Sequence, residues 1–111
     1  MDNNNIVFEY TLTAKYCLED IARFLRRAEI KPRPVLAELL NAYENKVRQF
    51  PLGSQICPEL LKIGCAKYRE YNSQNGYRVL YTIEGMTVTA HAVLSQRQNI
   101  QQFLFKRLVY S

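Results

Sequence analysis

Two apolar stripes at helical spacing, separated by a double proline, constrain this chain more than any other feature. Ala14, Cys17, Leu18, Ile21, Phe24, Leu25 and Ala28 recur at i, i+3, i+4 and i+7, the signature of one helical face. Thr11 or Thr13 offers the hydroxyl that accepts from an orphan N–H at the start. Lys31-Pro32-Arg33-Pro34 ends the helix, because the residue before a proline is pushed out of the α region. Pro34 suits the first turn of a second helix, where a missing N–H costs nothing. That helix carries Leu36, Leu39, Leu40, Tyr43, Val47 and Phe50 on one face and stops at Pro51-Leu52-Gly53. Two such helices, each of about 15 to 18 residues, joined by a few residues, form an antiparallel hairpin. Neither can bury its stripe on the other alone, so a sheet must receive both.

The rest of the chain supplies that sheet. Ile6–Tyr10 is short, apolar and β-prone, and reads as a first strand. Cys65–Tyr71 alternates, with Lys67, Arg69 and Tyr71 on one face and Ala66, Tyr68 and Glu70 on the other. Asn72–Gly76 is turn chemistry, Tyr77–Glu84 a strand, Glu84-Gly85 a tight reversal and Thr87–Leu94 another strand. Strict alternation places Val88, Ala90, Ala92 and Leu94 together. Gln98–Val109 reads as a short final helix through Ile100, Phe103, Leu104 and Leu108. The expected fold is α+β, in the order β-α-α-β-β-β-(α): an antiparallel sheet with a two-helix hairpin packed on one face. With 111 residues and no repeat or linker, residues 1–111 are expected to form one domain.

Composition excludes several classes. At 48% hydrophobic and 23% charged, the chain can build a core without staples. No apolar run reaches the roughly 18 residues that span a bilayer, and Met1–Asn5 lacks the basic, then apolar, pattern of a signal peptide. A cytoplasmic location with no membrane contact is the expectation. Cys17, Cys57 and Cys65 form neither an even set nor a CxxC pair and read as small buried hydrophobes. With His91 the single histidine, neither a metal nor a cofactor is expected. Charge is uneven: residues 1–61 hold eight basic and eight acidic side chains, whereas residues 62–111 hold seven basic against Glu70 and Glu84. A basic face in the C-terminal half attracts nucleic acid or an acidic protein.

Lys67-Tyr68-Arg69-Glu70-Tyr71, a polar turn, and Gly76-Tyr77-Arg78-Val79-Leu80-Tyr81 resemble the paired central strands of the RelE/ParE toxin superfamily. Val93-Leu94-Ser95-Gln96-Arg97-Gln98-Asn99-Ile100 is similar to that family's exit from its last strand, and Phe50-Pro51-Leu52-Gly53 to the end of its second helix. The similarity runs from about Ile6 to Arg107. It implies the toxin of a type II toxin–antitoxin system, a cytoplasmic agent of growth arrest and plasmid stabilization. Its implied partner is an acidic, partly disordered antitoxin that wraps the toxin, with higher-order toxin–antitoxin complexes as a further expectation.

The superfamily has two mechanisms. RelE-like members cut messenger RNA on the ribosome, and ParE-like members poison DNA gyrase. For RNA cleavage the resemblance implies Lys67, Arg69, Arg78 and Arg97 as the cationic set. The tyrosine of RelE-like enzymes falls near Phe103, which has no hydroxyl, and Tyr110 lies too far along to replace it. The length of both helices, the glutamate in Tyr68-Arg69-Glu70 and Pro51-Leu52-Gly53 look ParE-like. Gyrase inhibition, without a catalytic site, is therefore the leading expectation. Lys67, Arg69, Arg78, Arg97, Lys106 and Arg107 then become target- or antitoxin-binding residues. A ribosome-dependent RNase is the alternative, and a non-toxic nucleic-acid-binding or adaptor domain a third. Arg69 and Arg78 also admit a purely structural reading, paired with Glu70, Glu84 or a strand neighbour.

Overall fold

The computed structural model of the chain describes residues 5–95. Seven elements follow in order: β1 (Val7–Tyr10), α1 (Leu12–Arg27), α2 (Pro32–Gln49), α3 (Pro58–Leu61), β2 (Arg69–Asn72), β3 (Tyr77–Glu84) and β4 (Thr87–Ser95). The α+β order read from the sequence is the order observed, with α3 added. The helix expected over Gln98–Val109 lies outside the described residues, as do Arg97, Lys106 and Arg107.

Thr11 starts α1. Its hydroxyl accepts from Ala14 N–H at 3.1 Å and donates to the His91 carbonyl, while its own N–H reaches the Ala90 carbonyl at 3.0 Å. One residue thus caps the helix and ties it to β4. At the other end Ile30 N–H bonds to Leu25 O and Glu29 N–H to Arg26 O, closing the helix with Glu29 at φ 61°. The second helix begins at Pro32 rather than Pro34, since the first turn tolerates both prolines.

The sheet order is β1-β4-β3-β2. It is mixed rather than wholly antiparallel: β2, β3 and β4 form an antiparallel meander, and β1 pairs parallel to β4. The helical hairpin between β1 and the meander supplies the crossover that a parallel pair needs. β2 begins at Arg69, later than the Cys65 expected: α3 and its turn run to Gly64, and residues 65–68 are irregular. Its outer edge pairs with the Gln55–Cys57 stretch: Glu70 N–H bonds to Gln55 O, and Cys57 N–H to Tyr68 O. Gly85, at φ 60°, opens the two-residue turn between β3 and β4.

A bulge changes which β4 residues share a face. Tyr81 pairs with Ala90 but Leu80 with Ala92, so His91 is the extra residue. Ala92 and Leu94 therefore join Leu80 and Arg78 on the face away from the hairpin. Val93 joins Val79 on the hairpin side, with Val88 and Ala90. The even row expected from the sequence is split at His91.

Tyr43 of α2 is fully buried at the centre of the hairpin-facing side. Its ring meets Phe8 at 5.8 Å, Tyr10 at 6.4 Å, Tyr71 at 6.0 Å and Tyr81 at 5.7 Å, mostly edge-on, which suits aromatic quadrupoles. Leu39, Val47, Val79 and Val88 complete the core around it. Phe24 and Phe50, placed on the apolar stripes by their spacing, are instead exposed. The Tyr43 hydroxyl is buried with no hydrogen-bond partner among the described residues. Removing it relieves a desolvated group, so Tyr43→Phe should match or exceed wild-type stability, by up to about 1–3 kcal/mol. Tyr43→Ala should cost about 3–5 kcal/mol. Urea unfolding of the two variants checks both.

Candidate functional site

The register separates the cations that the sequence grouped. Arg69 pairs with Tyr81 and so lies in the hairpin-facing row, whereas Arg78 opposes Asn72 and shares the other face with Glu70 and Leu80. Arg69 does not join Arg78 around a common point.

Arg78 is held as a structural cation. One nitrogen donates to Glu70 Oε2 at 2.8 Å and to Glu59 Oε1 at 3.3 Å, and the other to Glu59 Oε2 at 2.9 Å. Its side chain is 14% exposed, that of Glu70 3% and that of Glu59 31%. The second oxygen of Glu70 accepts from the Gln55 amide. Burial alone would lower the Arg78 pKa, but the two carboxylates outweigh it and raise it. Hydrogen bonding from Arg78 in turn holds Glu59 below the usual carboxylate value, against the effect of its own burial. Cys57, Glu59 and Glu70 stand close enough to suggest a cation site. The carboxylates are already engaged by Arg78 and Gln55, and burial pushes the Cys57 thiol up and away from the thiolate a metal needs.

Arg69 is a brace at the other side. Its guanidinium donates to the carbonyls of Ser54 at 2.6 Å and Leu52 at 3.4 Å, fixing the loop after α2. Gly53 is required in that loop, since a Cβ there would stand 2.8 Å from Phe50 Cβ. Lys67 is exposed and lies 5.2 Å over the Tyr68 ring. Tyr68 meets the His91 ring edge-on at 5.2 Å, and His91 Nε2 sits 2.8 Å from Thr82 Oγ1. Burial and then Lys67 lower the His91 pKa, with Glu84 opposing, which favours the neutral imidazole.

Between the end of α2 and the β3–β4 turn lies an open apolar groove of about 540 Å³, lined by Ile6, Phe50, Leu52, Ile83 and Met86 among others. Phe50 (57% exposed), Leu52 (70%) and Met86 (43%) hold large apolar surface in water here. Two cations touch lining residues: Lys46 lies over the Phe50 ring, and Arg69 donates to the Leu52 carbonyl. The groove was not legible in the sequence, because spacing puts Phe50 on the buried stripe of α2 and Leu52 and Met86 lie in turns outside any periodic stripe. Glu59 was missed too, although a proline followed by an acidic residue is a helix-start signal.

The family described as the ParE toxin of the type II toxin–antitoxin system parDE matches residues 8–100. The chain belongs to this family, and so to the toxins of type II toxin–antitoxin systems. Among solved structures, it is similar to a chain of the chromosomal ParDE toxin–antitoxin system from P. aeruginosa, with a TM-score of 0.58 and 13% identity over 81% of this chain and 95% of that one. It is also similar to the isolated E. coli RelE toxin, with a TM-score of 0.53 and 15% identity over 93% of this chain and 98% of that one. At those identities the two likenesses establish the fold. No curated protein sequence is significantly similar to the chain.

The lowered Glu59 value fixes a pH dependence. The stabilisation is present above the unfolded carboxylate range, near pH 4.3, and is lost as pH falls through the lower folded value. Urea unfolding over a pH series should show wild type losing stability in that acid window more steeply than Glu59→Gln. Parallel curves would contradict the assignment.

Proposed function

We propose that this toxin arrests growth by inhibiting DNA gyrase and is neutralised by direct binding of an acidic antitoxin. The observation that carries the choice is the engagement of Arg78 by Glu59 and Glu70. A ribonuclease of this superfamily needs cations free to meet the charge that develops on a phosphodiester. Here the central one is neutralised by two carboxylates, and Arg69 braces a loop from the opposite face. Membership of the ParE family points the same way.

The groove beside Phe50, Leu52 and Met86 is the proposed antitoxin seat. An apolar antitoxin side chain would cover surface that now faces water, and an acidic flank would meet Lys46 beside Phe50. Lys67, Arg97, Lys106 and Arg107 remain candidates for contacts with antitoxin or target, the last three lying outside the described residues. The toxin would act in the cytoplasm, where gyrase and the antitoxin are.

Two measurements test this. Purified gyrase should fail to supercoil relaxed plasmid when the toxin is added, with linear DNA accumulating as trapped cleavage complex, and the antitoxin encoded beside it should reverse the effect. No inhibition by a large excess of folded toxin overturns the gyrase reading in favour of ribosome-dependent RNA cleavage. Leu52→Glu combined with Met86→Glu should weaken antitoxin binding by at least about tenfold in calorimetry, as expected when the apolar centre of an interface is lost. Unchanged affinity places the antitoxin elsewhere.

A further inference from the structure

The eight acidic and eight basic residues of the first half cancel in number but not in space. Residues 23–33 hold Arg23, Arg26, Arg27, Lys31 and Arg33 against Glu29 alone, a net +4 of the chain's +5. All six are exposed around the α1–α2 turn. Arg23 is paired with Asp20 at 2.6 Å, whereas Arg26, Arg27, Lys31 and Arg33 have no carboxylate partner among the described residues. Arg26 and Arg27 stand in the last turn of α1, where the helix dipole favours cations. Lys31 and Arg33 stand at the start of α2, where the dipole disfavours them and the first turn holds no acidic residue. An anion bound at the tip would offset both these cations and the positive end of α2, which no carboxylate of the described residues does.

We propose that this tip binds duplex DNA through its phosphates, independently of base sequence. Protein interfaces centre on apolar and aromatic residues, with charge at the rim. Here the centre is charge, for Ile30 is the one large apolar side chain exposed between Leu25 and Val35. A single strand needs aromatic platforms for its bases, and Phe24 is the only aromatic residue between Tyr16 and Tyr43. Residues 26–31 are all exposed, so the tip is a convex projection rather than a channel. Two packed helices are about 20 Å across, wider than a major groove of about 12 Å, so the tip rides on the backbone without entering. Between Ala22 and Leu40 there is no Asn, Gln, Ser or Thr to read a base edge. Most of the length of α2, about 27 Å, separates the tip from Phe50, so DNA held here leaves the other groove open. Binding to DNA stands whether or not gyrase is the target; on gyrase, the tip would add a grip on that enzyme's own substrate.

The probe is a fluorescein-labelled DNA duplex of about two helical turns, titrated with the full chain by anisotropy in the absence of gyrase. With four phosphate contacts, Kd should rise on the order of a hundredfold between about 50 and 200 mM salt. Arg27→Gln with Arg33→Gln should weaken binding at least about tenfold at the lower salt and reduce the salt slope by about two. Arg27→Lys with Arg33→Lys keeps both charges and should stay within about threefold of wild type. Lys15→Gln with Lys62→Gln removes the same charge elsewhere and should also stay within about threefold. All four positions are exposed, so these variants test binding rather than folding. A second duplex of unrelated sequence should bind within about threefold of the first. Equal losses from the two glutamine pairs overturn the proposal in favour of general charge attraction. Tighter binding of a single strand of the same length overturns the duplex assignment. Poly-glutamate that displaces the probe as well, charge for charge, as unlabelled duplex overturns it in favour of an acidic protein.

Discussion

The contact on which the outer side of the sheet depends is the fork of Arg78 between Glu59 and Glu70. Arg78 and Glu70 stand where little water reaches them, with Glu59 at the wetter edge, and the buried pair is tolerable because each charge has its partner. Glu59 comes from α3, Glu70 from β2 and Arg78 from β3, so the cluster fastens the excursion after α2 onto the meander. Gln55 fills the remaining lone pair of Glu70 from the stretch that borders β2. A guanidinium engaged in this way is poorly placed to receive a phosphate. The proposal that this residue is structural rather than catalytic rests on the same geometry that holds the fold.

On the other side, Tyr43 gathers rings from β1, β2 and β3, and Thr11 joins the start of α1 to β4 beside the bulge. The bulge at His91 turns Val93 toward the helices and Leu94 away from them, so β4 contributes to both faces. Arg69 and Arg78, nine positions apart, end on opposite faces with different tasks. Among the described residues, surfaces left without internal partners include the groove beside Phe50, Leu52 and Met86 and the cationic tip of the hairpin. For a toxin of a type II toxin–antitoxin system, such unfilled surfaces are more informative than its satisfied charges.

The helices were legible because their apolar stripes and prolines act locally: Thr11, Pro32 and Pro51 mark their ends through capping and missing N–H groups. The meander was legible from alternation and from Gly85. The parallel pairing of β1 was not, because register between distant segments leaves no local trace. Nor was the bulge, since one extra residue in β4 is invisible until its partner strand is known. The cationic residues were visible as residues but not as a site. The structural pairing of Arg78 with Glu70 was legible, but its second partner, Glu59, was not, lying nineteen positions away in a four-residue helix that periodicity is too short to reveal. Charge counted along the chain also misled, because the cations of residues 23–33 gather at one turn while their compensating acids lie elsewhere.

The most direct test of Arg78 as a structural cation compares two variants by urea unfolding and by growth arrest on expression. Arg78→Ala alone strands two carboxylates and should cost about 3–5 kcal/mol. Arg78→Met with Glu59→Gln and Glu70→Leu removes all three charges together. It should recover most of that loss, and with it growth arrest. A triple variant as stable as wild type yet unable to arrest growth would contradict the account and return Arg78 to the functional surface.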